Sequence, residues 1–276
     1  MKRTKPSICL APLIGIIGLL TLVHTGEAAK NDKYLPDRAV VMAVTGTVTS
    51  ATGIDAEWKP LNYGHTLRPG ATVRTAAGSE VILVLSKNQS IIRINENSTF
   101  VINQLSYRQT SKGVVTQTDL EVRQGSILGN VKTLVASSSY RVKIPNGFLN
   151  IRGSEAFYLE DSGTIRVISG LVTASVTVTL PNGTKAEKTV SVGAGQSLVF
   201  PASRALNLAI NDNLAPTPTP AAVQIQLATT MAQFVTAGQV MVIEEATYKA
   251  ASLPINANQG TQPKVVSSPR VRPISQ

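Results

Sequence analysis

Trp58-Lys59-Pro60-Leu61-Asn62-Tyr63-Gly64-His65-Thr66-Leu67-Arg68-Pro69-Gly70-Ala71-Thr72-Val73-Arg74-Thr75 is the stretch whose reading decides the fold. Its landmarks (Trp58, Leu61, Gly64, Leu67, Gly70, Val73) recur at every third position, a spacing that neither a helix nor a plain strand produces. The physical reading is a chain that turns twice. Asn62-Tyr63-Gly64 and Arg68-Pro69-Gly70 each place a glycine where φ is positive, and the apolar residues beside them drop into a core. Trp58, which opens the repeat, reads as a core plug.

Working outward, residues 39–200 read as short β runs separated by turn signals, hence an all-β domain. The clearest run is 171–180. Val172, Ala174, Val176, Val178 and Leu180 alternate there with threonine and serine, giving one apolar face. Pro181-Asn182-Gly183 ends it, and Val190 and Val192 begin the return strand of a hairpin. Pro145-Asn146-Gly147 repeats this turn chemistry after Tyr140, Val142 and Ile144, which share a core-facing side. Asp161-Ser162-Gly163 and Lys87-Asn88 mark two further reversals, and no convincing helix precedes Pro201. Short strands at roughly ten-residue spacing fit a sandwich, a roll or a solenoid, and periodicity does not choose among them.

Past residue 200 the character changes. Pro216, Pro218 and Pro220 stiffen a linker over 201–220. Within 221–251, read as a helical segment, Leu227, Met231, Phe234 and Val235 fall at helical spacing and predict a short helix of two or three turns that docks on the β domain or, as the alternative, on a partner. Residues 252–276 are rich in Pro, Ser, Gln and Asn and read as a disordered tail. At the other end Lys2, Arg3 and Lys5 precede an apolar run over 8–23, and Gly26-Glu27-Ala28 offers a cleavage site, so 1–28 reads as a signal peptide. The run is shorter than the roughly 20 residues of a spanning helix and is interrupted by Pro12, Gly15 and Gly18. An uncleaved inner-membrane anchor is the alternative. The expected address is exported, periplasmic or extracellular.

Cys9 is the only cysteine and lies inside that leader, so the mature chain has no disulfide or thiolate metal site. The whole chain carries 26 Lys+Arg against 16 Asp+Glu; without residues 1–28 the balance is 23 against 15, or +8. For an exported protein the expected counterparts of that charge are anionic envelope polymers or membrane surface rather than nucleic acid, with good solubility alone as the alternative reading. Convergent catalytic chemistry is sparse. His65, beside a turn glycine, reads as solvated, and with Cys absent the zinc and nucleophile–histidine arrangements are not available. Asp55, Glu57, Asp119, Glu121, Glu155, Glu160 and Asp161 could support glycoside hydrolysis only if two of them faced one cleft, and nearly all sit beside turns or on outward faces, where solvated charge is the default reading. No catalytic residue, cofactor or small-molecule substrate is identified. Arg141 and Lys143, on the outer side of their strand, and Arg166 on a later one are weak binding candidates.

Two segments in order then carry a family resemblance. The first is Gly46-x-Val48, the Trp58 to Thr75 repeat, and Ser79-x-Val81-x-Leu83-x-Leu85. The second is Tyr140-x-Val142-x-Ile144-Pro145-Asn146-Gly147, then Ile151-Arg152-Gly153-Ser154-Glu155-Ala156-Phe157, followed by Ile165-x-Val167-x-x-Gly170-x-Val172 and Val192-x-Ala194-Gly195-Gln196. Together they resemble the FecR domain, the exported β domain of bacterial FecR-type sensor proteins, over about 39–200. The resemblance implies a β-roll, solenoid or sandwich domain. It also implies structural roles for Trp58, Gly64, Gly70, Thr75, Arg152, Gly153 and Ser154, with Ser154 standing where the family usually has threonine. Arg152 is expected to fan its guanidinium onto backbone carbonyls at a strand corner. Iron-regulating members carry a cytoplasmic anti-sigma segment before a membrane span, whereas here some seven residues precede the apolar run.

The expectation from sequence is a non-enzymatic exported domain that binds an envelope protein or an anionic envelope polymer. A membrane-anchored sensor component is the alternative, and a glycan-active enzyme a more remote one. Intact-mass measurement on protein recovered from the envelope separates the first two. A chain beginning near Ala29 is expected, and a full-length mass in the membrane fraction would favour the anchored sensor.

Overall fold

The computed structural model describes residues 33–53, 56–145, 147–153, 155–179, 184–199 and 215–251. The leader at 1–28, Asp55, Asn146, Ser154, the 181–183 turn, linker residues 201–214 and the tail at 252–276 lie outside the described residues. The chain enters through β1 (Leu35–Pro36) and β2 (Ala39–Thr45). It then threads β3 (Val48–Thr52), β4 (Lys59–Pro60), β5 (Thr66–Leu67) and β6 (Ala71–Thr75). A hairpin of β7 (Glu80–Leu85) and β8 (Ile91–Ile94) leads to the two longest strands, β9 (Thr99–Thr110) and β10 (Gly113–Gln124). After β11 (Ser126–Val131) come three hairpins: β12 (Ser139–Ile144) with β13 (Gly147–Ile151), β14 (Glu155–Glu160) with β15 (Thr164–Ser169), and β16 (Leu171–Thr179) with β17 (Lys185–Gly193). Strands β18 (Gln196–Val199) and β19 (Thr217–Pro218) precede helix α1 (Ala221–Ala251).

These strands form two sheets and no closed barrel. Sheet I runs β17-β16-β13-β12-β10-β9-β6-β3-β4, with β1 added beside β9. Sheet II runs β19-β18-β15-β14-β11-β8-β7-β2-β5. Both orders follow the sequence with only local inversions, so the chain advances along one axis and drops successive strands into alternate layers. The described pairings are antiparallel except β10 with β12, where Leu120 faces Val142. The architecture is thus a roll with a sandwich's cross-section, which reconciles two of the options that periodicity left open.

One core fills the space between the layers. Val41, Leu83, Ile92, Ile94, Phe157 and Leu159 of sheet II meet Phe100, Ile102, Leu120, Val142, Leu149 and Val172 of sheet I. The alternation read at 171–180 is seen at Val172, Ala174 and Val176, which are buried, while Leu180 lies outside the described residues. Tyr140 lies in the same core, and burial pushes its phenol well above the ordinary value. Val81-Ile82-Leu83-Val84-Leu85 does not alternate, and every member is buried. The reason is that β7 is covered on both faces, by sheet I on one side and by α1 on the other.

Helix α1 makes that second layer. Leu227, Met231, Phe234 and Val235, the residues at helical spacing, pack on Met42, Ile82, Val84, Ile91, Leu128 and Ala156 of sheet II. The helix is 31 residues long rather than two or three turns, and at 1.5 Å per residue it spans about 46 Å. Its start is fastened by Gln224, whose Nε2 donates to the carbonyls of Thr219 at 2.7 Å and Gly195 at 3.1 Å. The Pro-rich segment is not all spacer, because Thr217 and Pro218 pair with Ser197 and Gln196 at the edge of sheet II. Among the described residues no helix is long and apolar enough to cross a membrane.

Among the described side chains of the helix, Phe234 is the largest that is buried. Phe234→Ala is expected to lower the unfolding free energy by about 3–5 kcal/mol in chemical denaturation, as for other buried Phe→Ala changes. A loss below about 0.5 kcal/mol would mean that α1 does not rest on sheet II in solution.

Candidate functional site

Gly64 (φ 79°) and Gly70 (φ 90°) occupy the left-handed region that the opening stretch requires, and Leu61, Leu67 and Val73 are buried beside them. The Gly64 N–H donates to Val41 O at 2.8 Å and the Gly70 N–H to Ile102 O at 2.7 Å, so the two turns are stitched to different sheets. His65 is exposed, and its Nδ1 accepts the Asn62 N–H at 3.3 Å. Trp58 departs from the expected core plug. It is 37% exposed, and the Arg74 guanidinium lies over its ring, 4.0 Å from the centroid. Trp58 precedes β4, a two-residue strand at the edge of sheet I.

Thr75 ties a corner together. Its hydroxyl donates to Asn95 O at 2.6 Å and accepts the Ser98 N–H at 2.9 Å. Ser98 Oγ in turn accepts the Ser126 N–H at 3.0 Å, and Asn95 Nδ2 donates to Ser126 Oγ at 2.8 Å. These hydroxyls therefore satisfy backbone groups where the chain crosses between the sheets.

A second corner corrects the expectation for Arg152. That side chain is exposed, and among the described residues its guanidinium donates to no carbonyl. The organiser is Glu155, which is only 5% exposed rather than solvated. Its carboxylate accepts backbone N–H groups of Arg152, Gly153 and Glu155 itself. Burial pushes this carboxyl above its ordinary 4.5, against the opposite pull of those donors. Gly153 has φ 119°, and a Cβ there would stand 2.6 Å from Leu134 N, so backbone approach excludes any side chain. Ser154, between them, is outside the described residues.

The three basic candidates do not converge. Arg141 and Lys143 project from β12 on the outer face of sheet I, whereas Arg166 lies on β15 in sheet II. Arg141 pairs with Asp119, and Glu121 holds Lys143 at 3.5 Å and Arg123 at 3.3 Å. Arg166 pairs with Glu160 at 3.4 Å and lies 5.5 Å from the Tyr158 ring centroid. Cross-strand pairing thus absorbs much of this charge.

What the sequence reading missed is a cleft of about 720 Å³ at the rim of sheet I, lined by Trp58, Thr72, Arg74, Thr99, Arg123 and Gln124 among others. Arg74 lies opposite Thr99, and Thr99 opposite Gln124, so these groups form a row across three strands, about two strand spacings or roughly 10 Å wide. The charged neighbours Glu57 and Lys59, paired at 3.8 Å, were the available signal that Trp58 faces water. No group of three His, Cys, Asp or Glu side chains placed to hold a metal ion occurs among the described residues.

The Glu155 corner has a testable consequence. Arg152→Ala should change stability by less than about 0.5 kcal/mol, whereas Glu155→Ala should cost about 1–3 kcal/mol for each amide left unsatisfied. A carboxyl raised in the folded state binds more protons folded than unfolded in the window above 4.5. Its stabilising contribution is therefore present below that pH and lost as pH rises through the folded value. Thermal melts of Glu155→Gln between pH 4 and 7 should accordingly shift in the variant's favour, relative to wild type, as pH rises. A constant difference across the range would contradict the assignment.

Comparison with known proteins gives a family match over part of the chain. Residues 71–173 match the family model described as FecR protein, and that family is one of signalling regulators. A search of curated proteins found no match. Among solved structures, a provisionally assigned anti-sigma factor from Parabacteroides distasonis ATCC 8503 aligns at 13% identity with a TM-score of 0.37. That alignment covers 54% of this chain and 60% of the other, so it spans less than two thirds of that protein. The match runs from β6 into β16 and covers the Thr75 crossing, the Glu155 corner and the central hairpins, so it is this part of the chain, residues 71–173, that is similar to the FecR domain.

Proposed function

We propose that this protein is a non-enzymatic binding module exported to the bacterial envelope, where the outer face of sheet I engages a protein or an anionic polymer. The observation that carries the reading is the inequality of the two outer faces. Sheet II is covered by the chain's own helix through Leu227, Met231 and Phe234. The rim of sheet I instead presents Trp58 stacked on Arg74, with Arg123 in the same cleft. Stacking holds a guanidinium flat with its N–H edge free for an oxyanion. Tryptophan and arginine are also the residues that most often dominate protein interfaces. Asp119 and Glu121 on this face are engaged by Arg141, Lys143 and Arg123, which supports recognition over acid–base chemistry. The export element rests on residues 1–28. Similarity to a regulator family over residues 71–173 supports, as a second reading, a sensor that remains anchored and relays occupancy of the same face.

The test is a titration of purified anionic envelope polymer and envelope protein fractions against wild type, Trp58→Ala and Arg74→Ala. Either substitution should weaken retention about tenfold, equivalent to roughly 1.4 kcal/mol. For a polymer, binding should also fall steeply between 0.1 and 1 M salt, as the Debye length contracts from about 10 to about 3 Å. A protein interface would lose more with Trp58→Ala and respond less to salt. Unchanged retention by both variants would remove sheet I from the function.

A further inference from the structure

A second cavity, of about 250 Å³, lies where the chain enters sheet II, and it is lined by Asp37, Arg38, Arg68, Ser86, Lys87 and Tyr107 among others. Its three cations come from three separate segments: the β1–β2 connection, the β5–β6 turn and the β7–β8 turn. Each segment is fixed by backbone bonds. The Ser86 N–H donates to Arg38 O at 2.9 Å, and the Asp37 N–H to Leu105 O at 2.9 Å. The Lys87 N–H donates to Asp37 Oδ2 at 3.2 Å. Arg68 O accepts the Ala71 N–H at 3.1 Å, closing its turn. The Lys87 ammonium is further held over the Tyr107 ring, 4.2 Å from the centroid. Among the described residues none of Arg38, Arg68 and Lys87 forms a carboxylate ion pair, unlike the cations on the outer face of sheet I.

One acid faces these cations. Asp37 is 6% exposed, and backbone N–H groups of Arg38 and Lys87 occupy its carboxylate. Burial pushes its carboxyl above the ordinary 3.8, so it quenches at most one of the three charges. Arg38, Arg68, Lys87 and Ser86, the three cations exposed to solvent, therefore line a small cavity whose residues carry a surplus of two positive charges. A compact tetrahedral oxyanion carrying up to two negative charges matches that donor set, since arginine forks bind its oxygens bidentately and lysine acts as a point charge.

We infer that this cavity is a phosphate-binding site, formed by Arg38, Arg68 and Lys87, that accepts the phosphate of a small soluble ligand or of a lipid headgroup. The site uses none of the residues of the sheet I cleft, so it stands or falls independently of the function proposed above.

The experiment is an amide-resolved NMR titration of the full chain with inorganic phosphate at low ionic strength, with acetate as the planar monoanion comparison. Saturable shifts at Arg38, Ser86 and Lys87, at least fivefold tighter for phosphate than for acetate, are expected. Arg68→Gln should weaken phosphate at least fivefold while core amides such as Phe100 and Phe157 keep their positions, which separates lost binding from lost folding. A second arm compares phosphatidylglycerol with phosphatidylcholine vesicles, using wild type and an Arg38→Gln/Arg68→Gln/Lys87→Gln variant. Greater capture of wild type on the phosphatidylglycerol vesicles identifies a headgroup site, and equal capture beside saturable phosphate binding identifies a soluble ligand. Absence of saturable phosphate shifts, or an Arg68→Gln titration identical to wild type, overturns the proposal.

Discussion

A two-layer roll depends on getting its backbone from one sheet to the other without leaving polar groups stranded in the apolar interior. The crossing built on Thr75, Ser98 and Ser126 meets that constraint with hydroxyls that replace the ladder bonds lost where strands end. Glycines do the steric part. A Cβ on Gly125 would stand 2.6 Å from the Ser98 Cα, and one on Gly46 would stand 2.4 Å from Ser79 Oγ. The corner at Gly153 and Glu155 solves the same problem with a carboxylate. Strand order, core packing and the exposed cleft all follow from where these corners allow the chain to turn.

Such corners also explain what the sequence made legible. Turn glycines at 64 and 70, the alternation at 171–180 and the hairpins at Pro145 and Asp161 are local signals. Backbone geometry and the two-residue period impose them whatever the rest of the molecule does. The choice of layered architecture was not local. It depends on which sheet each hairpin joins, and that is decided by corners separated by dozens of residues. The helix was read over 221–251, but its apolar signal sits in four side chains that by themselves mark only two or three turns.

Side-chain environment was read less well, for a consistent reason. Trp58 and Arg152 were judged by the company they keep in sequence, yet exposure depends on what the other layer covers. Trp58 lies past the rim of sheet I. Arg152 points away from a corner whose interior is filled by Glu155, a residue that composition alone marks as solvated. Arg38, Arg68 and Lys87 are spread over fifty positions, so no motif could have announced that they meet.

The near-sequential strand order has a bearing on how the molecule comes into being. A nascent or translocating chain that emerges N-terminus first meets most strand partners within a few elements, with β1, which waits for β9, as the longest delay. Sheets can therefore grow vectorially behind the advancing chain. The outer surface of sheet II is the exception. Met42, Ile82, Val84, Ile91 and Leu128 are laid down early, but their cover arrives only with α1, some ninety residues after the last of them. During that interval the half-built protein carries an apolar flank that, among the described residues, only the helix later covers. The same geometry that makes assembly orderly therefore makes the outer surface of sheet II the last to be completed.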